Sequence, residues 1–197
     1  MRKLLAISLL ALPLAALCGE QKYEPLADSV RERLYRQVSA KGPATMHFRS
    51  EDDANRWLTT MEKRLEKRIP DRRARLELLR TIHYEALRAR LDPQLVLGVI
   101  EVESGFRKYA VSTAGARGYM QVMPFWTKLI GYPKHNLFDS RTNLAYGCVI
   151  LRHYVDQENG DYFRALARYN GSLGSAKYPR LVLAAWKGRW KYDGPTA

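Results

Sequence analysis

Three observations predict an all-α fold. Apolar residues recur every three or four positions through most of the chain, no segment sustains the alternation of a half-buried strand, and the periodic runs begin at capping residues or prolines. One short β ribbon near Gly118 is compatible with this class. With 197 residues, 46% of them hydrophobic, the chain is long enough to bury one core, carried by one domain and a helical extension rather than by two independent domains.

The chain opens on Met1-Arg2-Lys3 and an apolar run from Leu4 to Leu17 broken only by Ser8 and Pro13, the layout of a secretory signal. That run is short for a membrane span. Ala16 and Cys18 have the −3 and −1 spacing of a signal-peptidase site, so residues 1–18 are expected to be a signal peptide, cut after Cys18 or Gly19. An N-terminal membrane anchor is the alternative. Lipidation of Cys18 is disfavoured, because Leu17 stands where a lipobox wants a small residue. No later stretch approaches transmembrane length, so a periplasmic protein without stable membrane insertion is expected.

Helical spacing begins with Leu26, Val30 and Leu34. Gly42-Pro43 ends that helix, and Ser50 is placed to cap a second one ahead of Glu51, Asp52 and Asp53, with Trp57, Met61, Leu65 and Ile69 on one face. Pro70 is expected to open a third, with Leu76, Leu79, Ile82, Ala86 and Leu87 together. Asp92-Pro93 starts a fourth, apolar nearly all round, that ends on Glu103 before Ser104-Gly105. A glycine-punctuated loop from Ser112 to Gln121 follows, then a helix start at Met123-Pro124 and helices at Thr142 to Gln157, Asp161 to Arg168 and Pro179 to Lys187.

Charge gives only a weak indication of partner. Losing Arg2 and Lys3 with the leader lowers the net charge from +13 to +11. Such a field favours polyanions, yet many basic residues alternate with acids, as in Glu62-Lys63-Arg64-Leu65-Glu66-Lys67-Arg68. Export, scattered charge and the lack of a reading motif argue against nucleic acid. No clustered Cys/His set or phosphate-cradling loop is visible, so neither metal nor nucleotide cofactor is expected. His47 and His83 are lone histidines, read as packing or surface residues, and Cys148 as a buried structural thiol without a disulfide partner.

Glu103 is a candidate general acid, set against the commoner solvated or capping role of a glutamate at a helix end. A carboxyl group presented from an apolar helix is desolvated, which disfavours its ionised form and suits it to act as a general acid. Around it stand, in order, Glu103-Ser104-Gly105-Phe106, Ser112, Gly115-Ala116, Gly118-Tyr119-Met120-Gln121, Met123-Pro124 and Tyr169-Asn170. This set closely resembles the soluble lytic transglycosylase (SLT) family with its lysozyme-like fold, over roughly Leu91 to Trp186.

The resemblance implies a peptidoglycan lytic transglycosylase that cleaves between N-acetylmuramic acid and N-acetylglucosamine and leaves a 1,6-anhydro sugar. It implies Glu103 as acid and then base, with the substrate's acetamido group replacing a second carboxylate. Ser112 and Gln121 would hold the reacting sugar, Met123 would form part of the glycan wall, and the Tyr169 hydroxyl, beside Asn170, would lie close to Glu103. Ser104 would secure the turn and Gly118 would support the site. Tyr119 and Arg168 depart from the family's usual leucine and alanine. Asp139, Asp156 and Asp161 are read as capping or turn residues rather than second acids. Trp126, Tyr119, Tyr132, Tyr146, Tyr154 and Tyr169 offer faces for sugar rings, although half or more are expected in the core.

The expected division is a signal peptide at 1–18, a charged helical extension at 19–80, a lysozyme-like catalytic domain at 81–190 and a frayed tail at 191–197. The partner is peptidoglycan, with any envelope proteins undefined. A hydrolytic muramidase resembling goose-type lysozyme, and a catalytically silent peptidoglycan-binding module, are the alternatives.

Overall fold

The computed structural model describes residues 21–40, 42 and 45–195; the leader expected at 1–18, with Cys18, and Pro43 lie outside them. Among the described residues there are eight α-helices: α1 (Asp28–Ser39), α2 (Glu51–Leu65), α3 (Arg72–Arg88), α4 (Pro93–Ser104), α5 (Phe125–Ile130), α6 (Ser140–Gln157), α7 (Tyr162–Asn170) and α8 (Lys177–Lys187). The β structure is confined to two antiparallel bridges, Val111 with Arg117 and Arg117 with Val122, at the expected ribbon. None of these helices is long and apolar enough to cross a membrane.

Short polar side chains start the helices by accepting backbone N–H groups that the first turn leaves unpaired. Ser50 accepts from Asp53, Asp92 from Gln94, Asp139 from Thr142 and Asp161 from Arg164. Pro70 does not open α3 as the sequence suggested. Asp71 takes that place by accepting from the Arg73 N–H at 2.9 Å, and the Pro70 carbonyl accepts from the buried Arg75 guanidinium. Asp156 is not a cap either; it pairs with Arg152 at 2.7 Å near the end of α6.

Helix α4 occupies the centre because its composition leaves it no solvent face: Leu95, Val96, Leu97, Val99 and Ile100 are all fully buried. It packs between α3 and α8, while α6 packs on α1, α3 and α7. Gly98 lets α8 come close, since a side chain there would press against the Val182 carbonyl and the Trp186 amide. The Trp186 indole then donates to Asp92 at 2.8 Å, tying α8 back to the cap of α4.

The N-terminal helices share this core. Leu34, Trp57, Met61 and Leu65 are buried in one cluster with the residues of α4 and α6. The Trp57 indole donates to Gln94 at 3.1 Å, Arg68 pairs with Glu101 at 2.7 Å, and Arg64 donates to the Lys191 carbonyl at 2.8 Å. His83 lies inside this junction, stacked on Phe48 at 4.4 Å and edge-on to Trp57. Burial, and then the charge of His47, lowers its pKa to about 4. Cys148 is a free, buried thiol pushed well up by burial.

Candidate active site

Two glutamates leave the C-terminal half of α4 two residues apart, and a helix turns them to different sides. Glu101 is saturated: Arg68 at 2.7 Å, Arg189 at 2.6 Å and the Trp190 indole at 2.6 Å all meet its carboxylate. Glu103 is buried, and its Oε1 accepts a hydrogen bond from the Tyr178 hydroxyl at 2.6 Å. Two guanidiniums and an indole thus meet Glu101, whereas Glu103 accepts from a phenol hydroxyl.

The end of α4 is shaped for this. Gly105 takes the left-handed conformation at φ 58° that closes the helix, and the Ser104 carbonyl accepts from both the Arg107 backbone at 3.2 Å and its guanidinium at 2.9 Å. The Ser104 hydroxyl turns back to the Ile100 carbonyl at 3.2 Å.

The ribbon beside the helix is held by its own polar groups. The Ala110 carbonyl accepts from the Gly118 N–H at 2.9 Å and from the Gln121 side-chain amide at 3.2 Å, which also donates to the Gly118 carbonyl at 2.9 Å. The Ser112 hydroxyl accepts from the Ala116 N–H at 3.0 Å. Ser112 and Gln121 thus brace the ribbon, and Gln121 does so in a left-handed backbone conformation at φ 48°. Met123 is half-buried against the core on the far side of that turn.

Three residues that sequence reasoning missed organise this site. Tyr178 is one. Asn143, buried on α6, accepts from the Met120 N–H at 2.8 Å and donates to the Arg117 and Leu137 carbonyls at 2.8 and 2.9 Å. Gly118, at φ 75°, can only be glycine there, because a Cβ would lie 2.4 Å from the Asn143 amide nitrogen. The third is Gln21, whose side-chain oxygen reaches Met123 and Trp126.

Tyr169 links the ribbon to the site. Its fully buried hydroxyl donates to the Met120 carbonyl at 2.8 Å, and it is Tyr178 that meets Glu103 directly. Tyr169 is still within the electrostatic reach of that carboxylate: burial, and next the charge of Glu103, push its hydroxyl well above the usual phenol range. Asn170 is buried beside it, its side-chain nitrogen without a hydrogen-bond partner among the described residues.

Of the six aromatics proposed as sugar faces, Trp126, Tyr119, Tyr146, Tyr154 and Tyr169 are core residues, and only Tyr132 is exposed, hydrogen-bonded to Tyr35. Arg168 sends its guanidinium to Glu158 and, at 3.5 Å, to Glu24. Among the described residues no group of three His, Cys, Asp or Glu side chains is arranged to hold a metal ion. A cavity of about 410 Å³ lined by Glu85, Tyr132, His135 and Arg141 contains none of the Glu103 group.

The family model of the transglycosylase SLT domain matches residues 80–180, just over half of the chain. The chain belongs to this family. The SLT region contains Glu103, the ribbon, Tyr169 and Tyr178, so each of these groups lies inside the shared domain, whereas Gln21 lies outside it. A transglycosylase of Enterobacteria phage PRD1 is 35% identical over 103 residues, which is 52% of this chain and 38% of the phage protein. A membrane-bound lytic murein transglycosylase C of Actinobacillus pleuropneumoniae serotype 5b is 56% identical over 39 residues, 20% of this chain and 11% of that one. A solved structure, an inactive mutant of the lytic transglycosylase Slt from Pseudomonas aeruginosa, aligns with a TM-score of 0.44 at 24% identity, over 54% of this chain and 20% of that one. The chain therefore spans well under half the length of these relatives.

Proposed function

We propose that this SLT-family chain is a lytic transglycosylase of peptidoglycan, working in the cell envelope after removal of the leader at 1–18. The observation that carries the reading is the buried Glu103 carboxyl, accepting from the Tyr178 hydroxyl at the end of an apolar helix, with the ribbon of Ser112 and Gln121 beside it. The relatives named as lytic murein transglycosylases support the substrate class.

In this reading Glu103 gives its proton to the oxygen bridging N-acetylmuramic acid and N-acetylglucosamine, and the bond from C1 to that oxygen breaks. The substrate's acetamido group stabilises the positive charge at C1. The Glu103 carboxylate then takes the proton of the C6 hydroxyl as O6 bonds to C1, which closes the 1,6-anhydro ring and restores the acid without consuming water. Ser112, Gln121 and Asn170 hold the sugar, Met123 lines the groove, and Tyr169 shapes the turn at Met120. The extension at 19–80 acts as a scaffold for the catalytic region at 81–190.

Digestion of purified peptidoglycan, with the muropeptides read by mass spectrometry, tests this. Anhydro-muramyl ends are expected. Reducing ends would make the protein a muramidase, and no release of fragments would make it a peptidoglycan-binding module.

A further inference from the structure

Gln21 belongs to the N-terminal segment, yet its side chain is 4% exposed because it is inserted into the SLT region. Its Oε1 accepts from the Trp126 indole at 3.0 Å and from the Met123 N–H at 3.3 Å. Gln21 also acts on the Tyr169 hydroxyl, lowering its pKa against the larger effects of burial and Glu103, and that hydroxyl donates to the Met120 carbonyl. One side chain thus joins the turn that carries Met123, the helix behind it and the tyrosine that senses Glu103. Two further contacts keep the segment in place: Tyr23 meets Phe125 edge-on at 5.8 Å, and Glu24 lies 3.5 Å from the Arg168 guanidinium.

We propose that Gln21 is a positioning residue for substrate, setting the Met123 wall of the glycan groove from outside the SLT region. The physical reason is that one oxygen satisfies two donors, the buried Trp126 indole and the part-buried Met123 N–H. Without it the Met123 N–H and the Trp126 indole would be left unpaired, and buried donors move to find new partners. The wall would shift with them, while the Glu103–Tyr178 pair, built from α4 and α8, would stay in place. The loss should fall on substrate binding rather than on the chemical step.

The proposal rests on the glycan-cleaving reading, and the experiment separates the two. Initial rates on soluble, uncrosslinked peptidoglycan strands are measured for wild type and Gln21→Met, each well below its melting temperature. Gln21→Met keeps the length of the side chain and loses the acceptor, so KM should rise roughly five- to tenfold with kcat within about twofold of wild type. A Gln21→Met variant with wild-type KM overturns the positioning role even if its melting temperature falls, as does a loss that falls on kcat with KM unchanged. An inactive wild type overturns the glycan-cleaving reading itself.

Discussion

The Tyr178 hydroxyl donates to Glu103 Oε1 at 2.6 Å, joining the first turn of α8 to the last turn of α4. Both residues are buried, and the contact depends on Gly98 letting the two helices approach. Tyr178→Phe keeps the ring and removes the bond. Because one hydrogen bond is worth about 1 kcal/mol in stability, the melting temperature should fall by only a few degrees. The rate on peptidoglycan strands should drop about tenfold or more, since the reacting carboxyl loses its orientation. An unchanged kcat would remove Tyr178 from the working site.

The turn at Gly118 is predicted to tolerate no side chain. An alanine would need φ 75° and would drive a Cβ to 2.4 Å from Asn143 and 2.5 Å from the Leu137 carbonyl. Gly118→Ala should cost at least about 2 kcal/mol in chemical denaturation. It should also lower activity, because Asn143 holds Met120 and Arg117 in the ribbon.

Acid should weaken the junction around His83. Its folded pKa, about 4, lies below the ordinary value of 6.5, so the unfolded chain binds a proton that the folded chain refuses. This contribution to stability is complete above pH 6.5 and is lost progressively as the pH falls toward 4. His153 is depressed in the same direction, by burial first and then by Arg33. Denaturant midpoints measured between pH 7 and 4 should decline less steeply for His83→Phe than for wild type, and equal slopes would exclude His83 as a source.

The N-terminal helices are predicted to be necessary for the stability of the SLT region. Trp57 is fully buried and reaches Gln94 on α4, so Trp57→Ala should cost about 3–5 kcal/mol. A truncation beginning at Arg72 should melt far below the chain that retains α1 and α2. Equal melting temperatures would mean that these helices are passengers.

The helices were legible because their causes are local. Ser50, Asp92, Asp139 and Asp161 cap where they stand in the sequence, and the apolar run of α4 marks a central helix before any partner is known. The place of Glu103 at the end of that helix was legible for the same reason, its proposed role only through the resemblance to the SLT family, and the ribbon from its glycines. Tyr178, Asn143 and Gln21 were not. They act on groups 75, 23 and 102 residues away, and periodicity records which face a residue occupies without recording what faces it. The same limit hid the bond from the buried Tyr169 hydroxyl to the Met120 carbonyl. Pro70 misled for a smaller reason: Asp71, one residue on, is the better cap.

The most direct test compares two isosteric changes on one helix, Glu103→Gln and Glu101→Gln, assayed for release of muropeptides from purified peptidoglycan. Glu101 is committed to Arg68, Arg189 and Trp190, so Glu101→Gln should lose stability and keep its activity wherever it remains folded. Glu103→Gln should stay folded and lose activity by a thousandfold or more, on the order of the loss when an essential acid is removed. Substantial turnover by Glu103→Gln would contradict the assignment of Glu103 as the catalytic acid.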